Sequence, residues 1–247
     1  MPATSPVRYG ELMIVSDRLM AAAGLVTAGS RLADIGTDHG YVPILLVQQG
    51  RIPSAVAMDI NEGPIARAQL DIRRAGLCAE IQTRRSDGLE KLRENEADTV
   101  LIAGMGGALT IRILENGAST LHGGSVRELV LQPQSEIGKV RRWLQKNGWR
   151  IDLEDMVLED GKYYPMMQCH EGMMELTDLE AQYGPRLLGE HHPVLVHFLK
   201  RERSILEKSA RGAEKAEGDR GEERRRQIAA LLERNRQACL FAERHQA

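Results

Sequence analysis

Arg31-Leu32-Ala33-Asp34-Ile35-Gly36-Thr37-Asp38-His39-Gly40 decides the fold. An apolar run enters it, two glycines and two aspartates close it, and Tyr41-Val42-Pro43-Ile44-Leu45-Leu46 leaves it in helical pattern. The stretch reads as a strand, a tight loop and a helix. Pro43 falls in the helix's first turn, where its missing N–H costs nothing. Such a loop brings backbone N–H groups and a helix N-terminus to a ligand. Asp38, in its middle, opposes a bare phosphate and suits a guest with positive charge.

Outward from this stretch the same unit recurs. Ser54–Ile60 is a second buried strand, and Asn61-Glu62-Gly63-Pro64 restarts a helix behind it. Ala79–Arg85 and Ala97–Ala103 are further strands, with a short helix over Leu89–Glu94 between them and another over Ala108–Asn116. Glu128–Leu131 is the fifth strand, and Ser135 reads as the N-cap of a helix through Lys146. Upstream, residues 1–9 read as frayed and residues 10–27 as a helix. Trp149–Glu159 and Lys162–His170 then form two β-like runs joined by Asp160-Gly161, a strong hairpin signal. Repeated strand–helix units predict an α/β, Rossmann-like fold: a mainly parallel sheet, helices on both faces, and a terminal antiparallel hairpin.

Residues 172–190 read as a connector. Two long amphipathic helices follow, Glu190–Ala216 and Glu222–Arg244, broken at Gly218-Asp219-Arg220-Gly221. They predict an antiparallel helical hairpin, a coiled coil. The expected division is therefore a domain over 1–171 and a hairpin region over 172–247.

At 247 residues and 42% hydrophobic content a sizeable core is expected. A net charge of −2 excludes global steering towards nucleic acid or membrane, so any such surface must be local. Residues 197–247 supply one, with 13 Lys/Arg against 9 Asp/Glu. Cys78, Cys169 and Cys239 are odd in number and lack metal-ligand spacing. They read as reduced thiols of a metal-free, cytoplasmic protein. Neither a signal pattern nor a membrane-length apolar run is present, so no membrane association is expected.

In an open parallel sheet, ligands sit beyond the carboxyl ends of the strands. Here those ends are Gly36–Gly40, Asp59, Asp87-Gly88 and Gly104-Met105-Gly106-Gly107. An acid closing the second strand, about 20 residues after the loop, suits both hydroxyls of a ribose; the plainer alternative is that Asp59 caps the next helix. A dinucleotide needs room for pyrophosphate where Asp38 stands. S-adenosylmethionine has no phosphate and carries an ammonium and a sulfonium, so it fits better, and a closing hairpin suits a methyltransferase sheet.

Asp34–Pro43, Asp59–Pro64, Asp87-Gly88-Leu89, Ile102–Gly107 and Leu131-Gln132-Pro133-Gln134 together resemble the bacterial tRNA (adenine-22-N1)-methyltransferases. These are class I S-adenosylmethionine-dependent enzymes with a C-terminal coiled-coil hairpin. The resemblance spans roughly residues 10–245. One departure is that the fifth strand ends Gln132-Pro133-Gln134 where the family commonly has Gln-Pro-Asn.

The resemblance implies a cofactor site of Asp34, Gly36, Thr37, His39, Gly40, Asp59, Ile60, Asp87, Gly88, Ala103 and Gly104. Within it Asp59 holds the ribose, Asp87 the adenine amine, and Ala103 and Gly104 form a floor under the sulfonium. It implies Asp38 as the catalytic group. N1 of adenine has a lone pair, so a carboxylate there stabilises developing positive charge rather than removing a proton. Tyr41, Met105, Gly106, Gln132, Pro133 and Gln134 fall to the target base. His39 reads equally as a supporting hydrogen-bond residue, Met105 as packing, and Arg18 as either an anion contact or a surface ion pair. Arg224 and Arg225, in a run with Arg220, Arg226, Arg234 and Arg236, are expected to meet tRNA phosphates; the alternative is a solvated face. The expected assembly is a monomer or weak dimer. Competing functional readings are a methyltransferase for another RNA, a protein or a small molecule, an inactive binding protein of the same fold, and a nicotinamide dehydrogenase.

Overall fold

A computed structural model describes residues 8–9, 13–214 and 218–243. The chain divides into two compact units, Met1–Met174 and Glu175–Ala247.

In the first unit, β1 (Arg8–Tyr9) and β2 (Met13–Ile14) pair as a small antiparallel ribbon. Then come α1 (Asp17–Gly24), β3 (Leu32–Ile35), α2 (Tyr41–Gln48), β4 (Ala55–Asp59), α3 (Glu62–Arg74) and β5 (Ile81–Arg85). They are followed by β6 (Thr99–Met105), α4 (Gly107–Asn116), α5 (Ala118–Gly123), β7 (Glu128–Pro133), α6 (Ile137–Lys146), β8 (Trp149–Glu159) and β9 (Lys162–Glu171). Seven strands make one sheet in the order β5-β4-β3-β6-β7-β9-β8. The first five run parallel; β9 is antiparallel to β7 and to β8. The chain thus reverses direction across the sheet between β3 and β6, and ligand sites in such folds form at that switch point.

Strand side chains alternate between two cores. Ala33, Ile35, Val56, Met58, Val100, Ile102, Leu129 and Leu131 pack on one face with Ile113, Leu114, Val140 and Leu144 of α4 and α6. Leu32, Ala55, Ala57, Leu101 and Val130 pack on the other with Ala22, Ala23, Leu45 and Ile72 of α1, α2 and α3. Both faces are covered, which explains the near-continuous apolar strands.

The structure corrects several expectations. The helix read over residues 10–27 starts only at Asp17, because Ser16 caps it by accepting from Leu19 N–H. Residues 8–9 and 13–14 lie in the ribbon; residues 1–7 and 10–12 lie outside the described residues. Leu89–Glu94 forms turns, not a helix: Ser86 Oγ takes the Lys91 N–H at 3.1 Å, and Asn95 stands at φ +57°. Ser135 does not cap its own helix. Its hydroxyl and carbonyl both accept from Gly107 N–H, so it caps α4 instead, and Glu136 begins α6 at φ +50°. The buried Cys169 thiol is pushed well up by burial, and Cys78, Cys169 and Cys239 form no disulfide.

The second unit holds α7 (Asp178–Tyr183), α8 (Pro185–Gly189), α9 (Pro193–Ala213) and α10 (Asp219–Glu243). The expected connector over 172–190 is thus mostly helical. Thr177 and Glu180 form a reciprocal capping box at α7, and Pro185 starts α8. α9 and α10 pair as a hairpin. α10 begins at Asp219, inside the expected break, whose Gly218 stands at φ +79°. The expected helix ends Ala216 and Arg244 lie outside the described residues. Leu195, Leu199, Ala213, Ile228 and Ala238 are buried, and with them Asn235, which donates to Leu199 O (3.0 Å) and Glu202 Oε2 (2.9 Å). Tyr183 donates to the same carboxylate oxygen at 2.8 Å. Ile205, Leu231 and Phe241 of these amphipathic helices are exposed.

Candidate active site

The loops at the carboxyl ends of β3, β4, β5 and β6 form the site. Gly36 leaves β3 at φ +75°, and its N–H and that of Thr37 both donate to Met58 O of β4, at 2.8 and 3.0 Å. A β-carbon on Gly36 would overlap the Met105 methyl, so the thioether lies over this turn. Gly40, at φ +67°, then opens α2.

Asp34 is buried beneath the turn, and burial pushes its carboxyl up to about 6. The Thr37 hydroxyl opposes that shift in part, while the charge of Asp59 adds to it. Thr37 is itself buried, and its hydroxyl meets no full hydrogen-bond geometry among the described residues. Asp59 ends β4; one carboxylate oxygen accepts from Asn61 N–H at 2.7 Å. That N–H belongs to Asn61, the N-cap of α3, so Asp59 closes the turn before the helix rather than capping it, and it engages one oxygen of two. Ile60 beside it is 50% exposed, an apolar surface at the mouth of the site. Asp87 is exposed at the end of β5, and no helix follows for it to cap.

Between β6 and β7 the register shifts at Gly104, which stands at φ +82°. The space that its β-carbon would take faces Arg18 Nη1 at 3.4 Å and Gln134 Nε2 at 3.8 Å. Gln132 is fully buried. Its Oε1 accepts from Gly104 N–H (3.1 Å) and from Arg18 (2.8 Å), and the Arg18 guanidinium lies 5.4 Å over the Tyr164 ring. Gln132, expected at the target base, thus organises the bulge and Arg18; Arg18 is no surface ion pair. Gln134 is exposed, held by its N–H on Met105 O at 2.8 Å, while Pro133 is buried in β7. Gly106 N-caps α4.

Asp38 projects from the first loop with its side chain 60% exposed. Arg67 of α3 pairs with it: Nε lies 3.0 Å and Nη2 2.9 Å from Oδ1. His39, at φ +64°, bonds Asp71 through Nδ1 at 2.7 Å and stacks on Tyr41, ring centroids 4.9 Å apart. This is the supporting role weighed for it. Arg67 and Asp71, four residues apart on one face of α3, were absent from the sequence reading. The available signal was that i, i+4 spacing behind an acidic loop.

These residues fit S-adenosylmethionine. Asp38, Asp59 and Asp87 offer acceptors that suit a cationic guest, one carboxylate oxygen of Asp59 is available to a diol, and the buried Thr37 hydroxyl lies beside the Asp34 carboxyl in the loop. The end of the flexible Met105 side chain occupies the space beside Gly36. The basic run in the hairpin is less uniform. Arg226 and Arg236 pair with Glu223 (3.7 Å) and Glu233 (2.7 Å), and Arg225 donates to Ala213 O at 3.3 Å, while Arg224 is exposed.

A family model described as a methyltransferase domain matches residues 15–167. The tRNA (adenine(22)-N(1))-methyltransferase of Bacillus subtilis is 37% identical over 169 residues, 68% of each chain. A crystal structure of a putative tRNA (m1A22) methyltransferase from Streptococcus pneumoniae superposes with a TM-score of 0.85 at 34% identity, covering 92% of this chain and 100% of that one. The same protein in complex with S-adenosyl-L-methionine gives 0.82 over the same shares. A chain with this loop set, this sheet order and these relatives belongs to the tRNA (adenine(22)-N1)-methyltransferase family.

Proposed function

We propose that this chain transfers the methyl group of S-adenosylmethionine to N1 of adenine 22 in tRNA. The observation that carries the reading is the exposed Asp38 carboxylate, in the same loop as the Gly36–Gly40 turn and within one sheet edge of Asp59 and Gly104. When bound, the cofactor supplies an electrophilic methyl group on a sulfonium. Asp59 accepts from the ribose hydroxyls, Ile60 covers the adenine edge, and Asp87 with Gly88 lies along the base. Asp34 and Thr37 support the turn from below. Ala103 and Gly104 form the floor, and Gln134, Gly106, Met105 and Tyr41 border the entering base.

N1 of adenine uses its ring lone pair, so no proton leaves before attack. Positive charge develops across N1 and the exocyclic amine as the bond forms. The Asp38 carboxylate stabilises that charge in place, and a preorganised group of this kind contributes about 10²–10³ in rate. The nucleophile needs no metal to generate it.

The same reading takes residues 1–171 as the methyltransferase domain and 172–247 as a helical region that meets tRNA phosphates. Arg224 makes the outward contact there, and Arg225, tied to the end of α9, shapes it. No helix among the described residues is long and apolar enough to cross a membrane. The same reading takes the protein as cytoplasmic, and as a monomer or weak dimer. Incubation with radiolabelled S-adenosylmethionine and unmodified tRNA, followed by mapping of the modified base, tests the reading. Label at N1 of adenine 22, lost when that base is guanine, is expected; label elsewhere, or none, contradicts it.

A further inference from the structure

The Asp38 carboxylate is exposed, and its backbone, in a loop between Gly36 and Gly40, does little to fix where it points. Something else must aim it. The only guanidinium that reaches it among the described residues is Arg67, and the pairing has a particular shape. Nε and Nη2 converge on a single oxygen, Oδ1, at 3.0 and 2.9 Å. His39 Nε2 lies 3.9 Å from that same oxygen. Oδ2 carries no hydrogen bond among the described residues.

Arg67 is in turn well placed to hold still. It sits four residues after Gly63, on the same face of α3. Its Nη1 lies 3.5 Å from the space that a Gly63 β-carbon would take, so the guanidinium folds back over the helix's first turn. That turn follows directly from Asp59 and Ile60. The guanidinium therefore links the loop after β3, which the proposed reading gives to the target base, to the first turn of α3, just after the Asp59 that it gives to the cofactor ribose. An ion pair this exposed contributes little to stability, so fold stability does not account for its one-sided geometry.

We infer that Arg67 is a positioning residue for methyl transfer: it occupies Oδ1 of Asp38 and so presents Oδ2 to the exocyclic amine of the target adenine. The inference rests on the reading of Asp38 as the catalytic group. It assigns Arg67 no contact with the reacting atoms and no contact with tRNA.

Steady-state kinetics of the full-length protein on unmodified tRNA, for Arg67→Ala, Arg67→Lys, Asp38→Ala and the double variant Asp38→Ala/Arg67→Ala, test it. Arg67→Ala is expected to lower kcat about tenfold, the scale of a modest loss of alignment, with KM for tRNA and for S-adenosylmethionine changed less than about threefold. Arg67→Lys recovers part of the loss. The double variant is no slower than Asp38→Ala alone, because without the carboxylate there is nothing to aim. An unchanged kcat for Arg67→Ala overturns the inference. So does a raised KM for tRNA with a shallower salt dependence and normal kcat, which makes Arg67 a phosphate contact, and so does a full additive loss in the double variant. If Asp38→Ala itself turns over like wild type, the reading of Asp38 fails along with the inference. A slow Asp38→Ala beside a normal Arg67→Ala sinks the inference alone.

Discussion

The two ends of the central sheet treat their polar groups in opposite ways. At the amino end, Glu128 opens β7 at 2% exposure and is surrounded by donors. Thr27 N–H (3.1 Å) and Thr99 Oγ1 (2.8 Å) donate to one oxygen; the Thr27 hydroxyl and Gln168 Nε2 (2.8 Å) donate to the other. Beside it Arg31 clasps Asp98 and holds that carboxyl below its usual range. At the carboxyl end, Asp87 stands exposed, Asp59 has one oxygen engaged, and Asp38 meets the protein through one oxygen only. One end uses its charges to close the fold. The other keeps acceptors for a ligand, at a cost to the unliganded protein that Asp34 makes visible.

The sharpest way to break this contrast is at Glu128. Glu128→Ala strips buried partners from Thr27, Thr99 and Gln168. With each orphaned donor costing about 1–3 kcal/mol, a loss of about 4 kcal/mol is expected in urea unfolding. Turnover measured at low temperature, where the variant is still folded, stays close to wild type. A large fall in kcat of the folded variant would mean that the two ends are not separable.

Asp34 predicts an effect of the other sign and of somewhat smaller size. The folded chain holds a proton on this carboxyl up to about pH 6, whereas the ordinary value is 3.8. Between those pH values the folded state therefore binds more protons than the unfolded state, and the group's contribution to stability falls as pH rises. The fall is about 3 kcal/mol and is complete above about pH 6. Without cofactor, Asp34→Asn is expected to melt above wild type at pH 7.5 by several degrees, and the difference closes towards pH 4. A variant less stable than wild type at pH 7.5 would show that the carboxylate is satisfied by the protein, like Glu128.

The smallest effect belongs to the hairpin. Arg226 pairs with Glu223 at 3.7 Å, with both side chains mostly exposed. Arg226→Ala is expected to change thermal stability by less than about 0.5 kcal/mol. Arg224→Ala leaves stability alike unchanged but reduces the salt dependence of tRNA binding by about one ion. Equal salt slopes for wild type and Arg224→Ala would remove that side chain from the interface.

Much of this was legible in the sequence where local chemistry is decisive. The strand runs, the Gly36–Gly40 turn and the Asp160-Gly161 hairpin depend on residues next to one another, and the parallel sheet follows from their repetition. The acids at the strand ends were legible because topology alone brings those ends together. What escaped depends on partners distant in the chain. Ser135 looked like a cap for its own helix, yet its acceptor meets Gly107. Gln132 looked like a base contact, yet the register shift at Gly104 turns its amide inward to a backbone N–H and to Arg18. Arg67 and Asp71 did not stand out, because nothing local ties α3 to the loop after β3. Short apolar stretches misled in both directions: Leu89–Glu94 has helical spacing but turns, and the capping box at Thr177 and Glu180 marks a helix where a connector was expected.

The central claim is that Asp38, kept accessible at the carboxyl end, stabilises charge developing on the target adenine. Single-turnover methyl transfer to unmodified tRNA by wild type and Asp38→Ala, at saturating S-adenosylmethionine, measures this directly. The account predicts that wild type labels N1 of adenine 22 and that Asp38→Ala does so about 10²–10³ more slowly, with tRNA and cofactor binding essentially retained. An Asp38→Ala rate within about threefold of wild type would contradict it, since a loss that small is far below what such a group supplies.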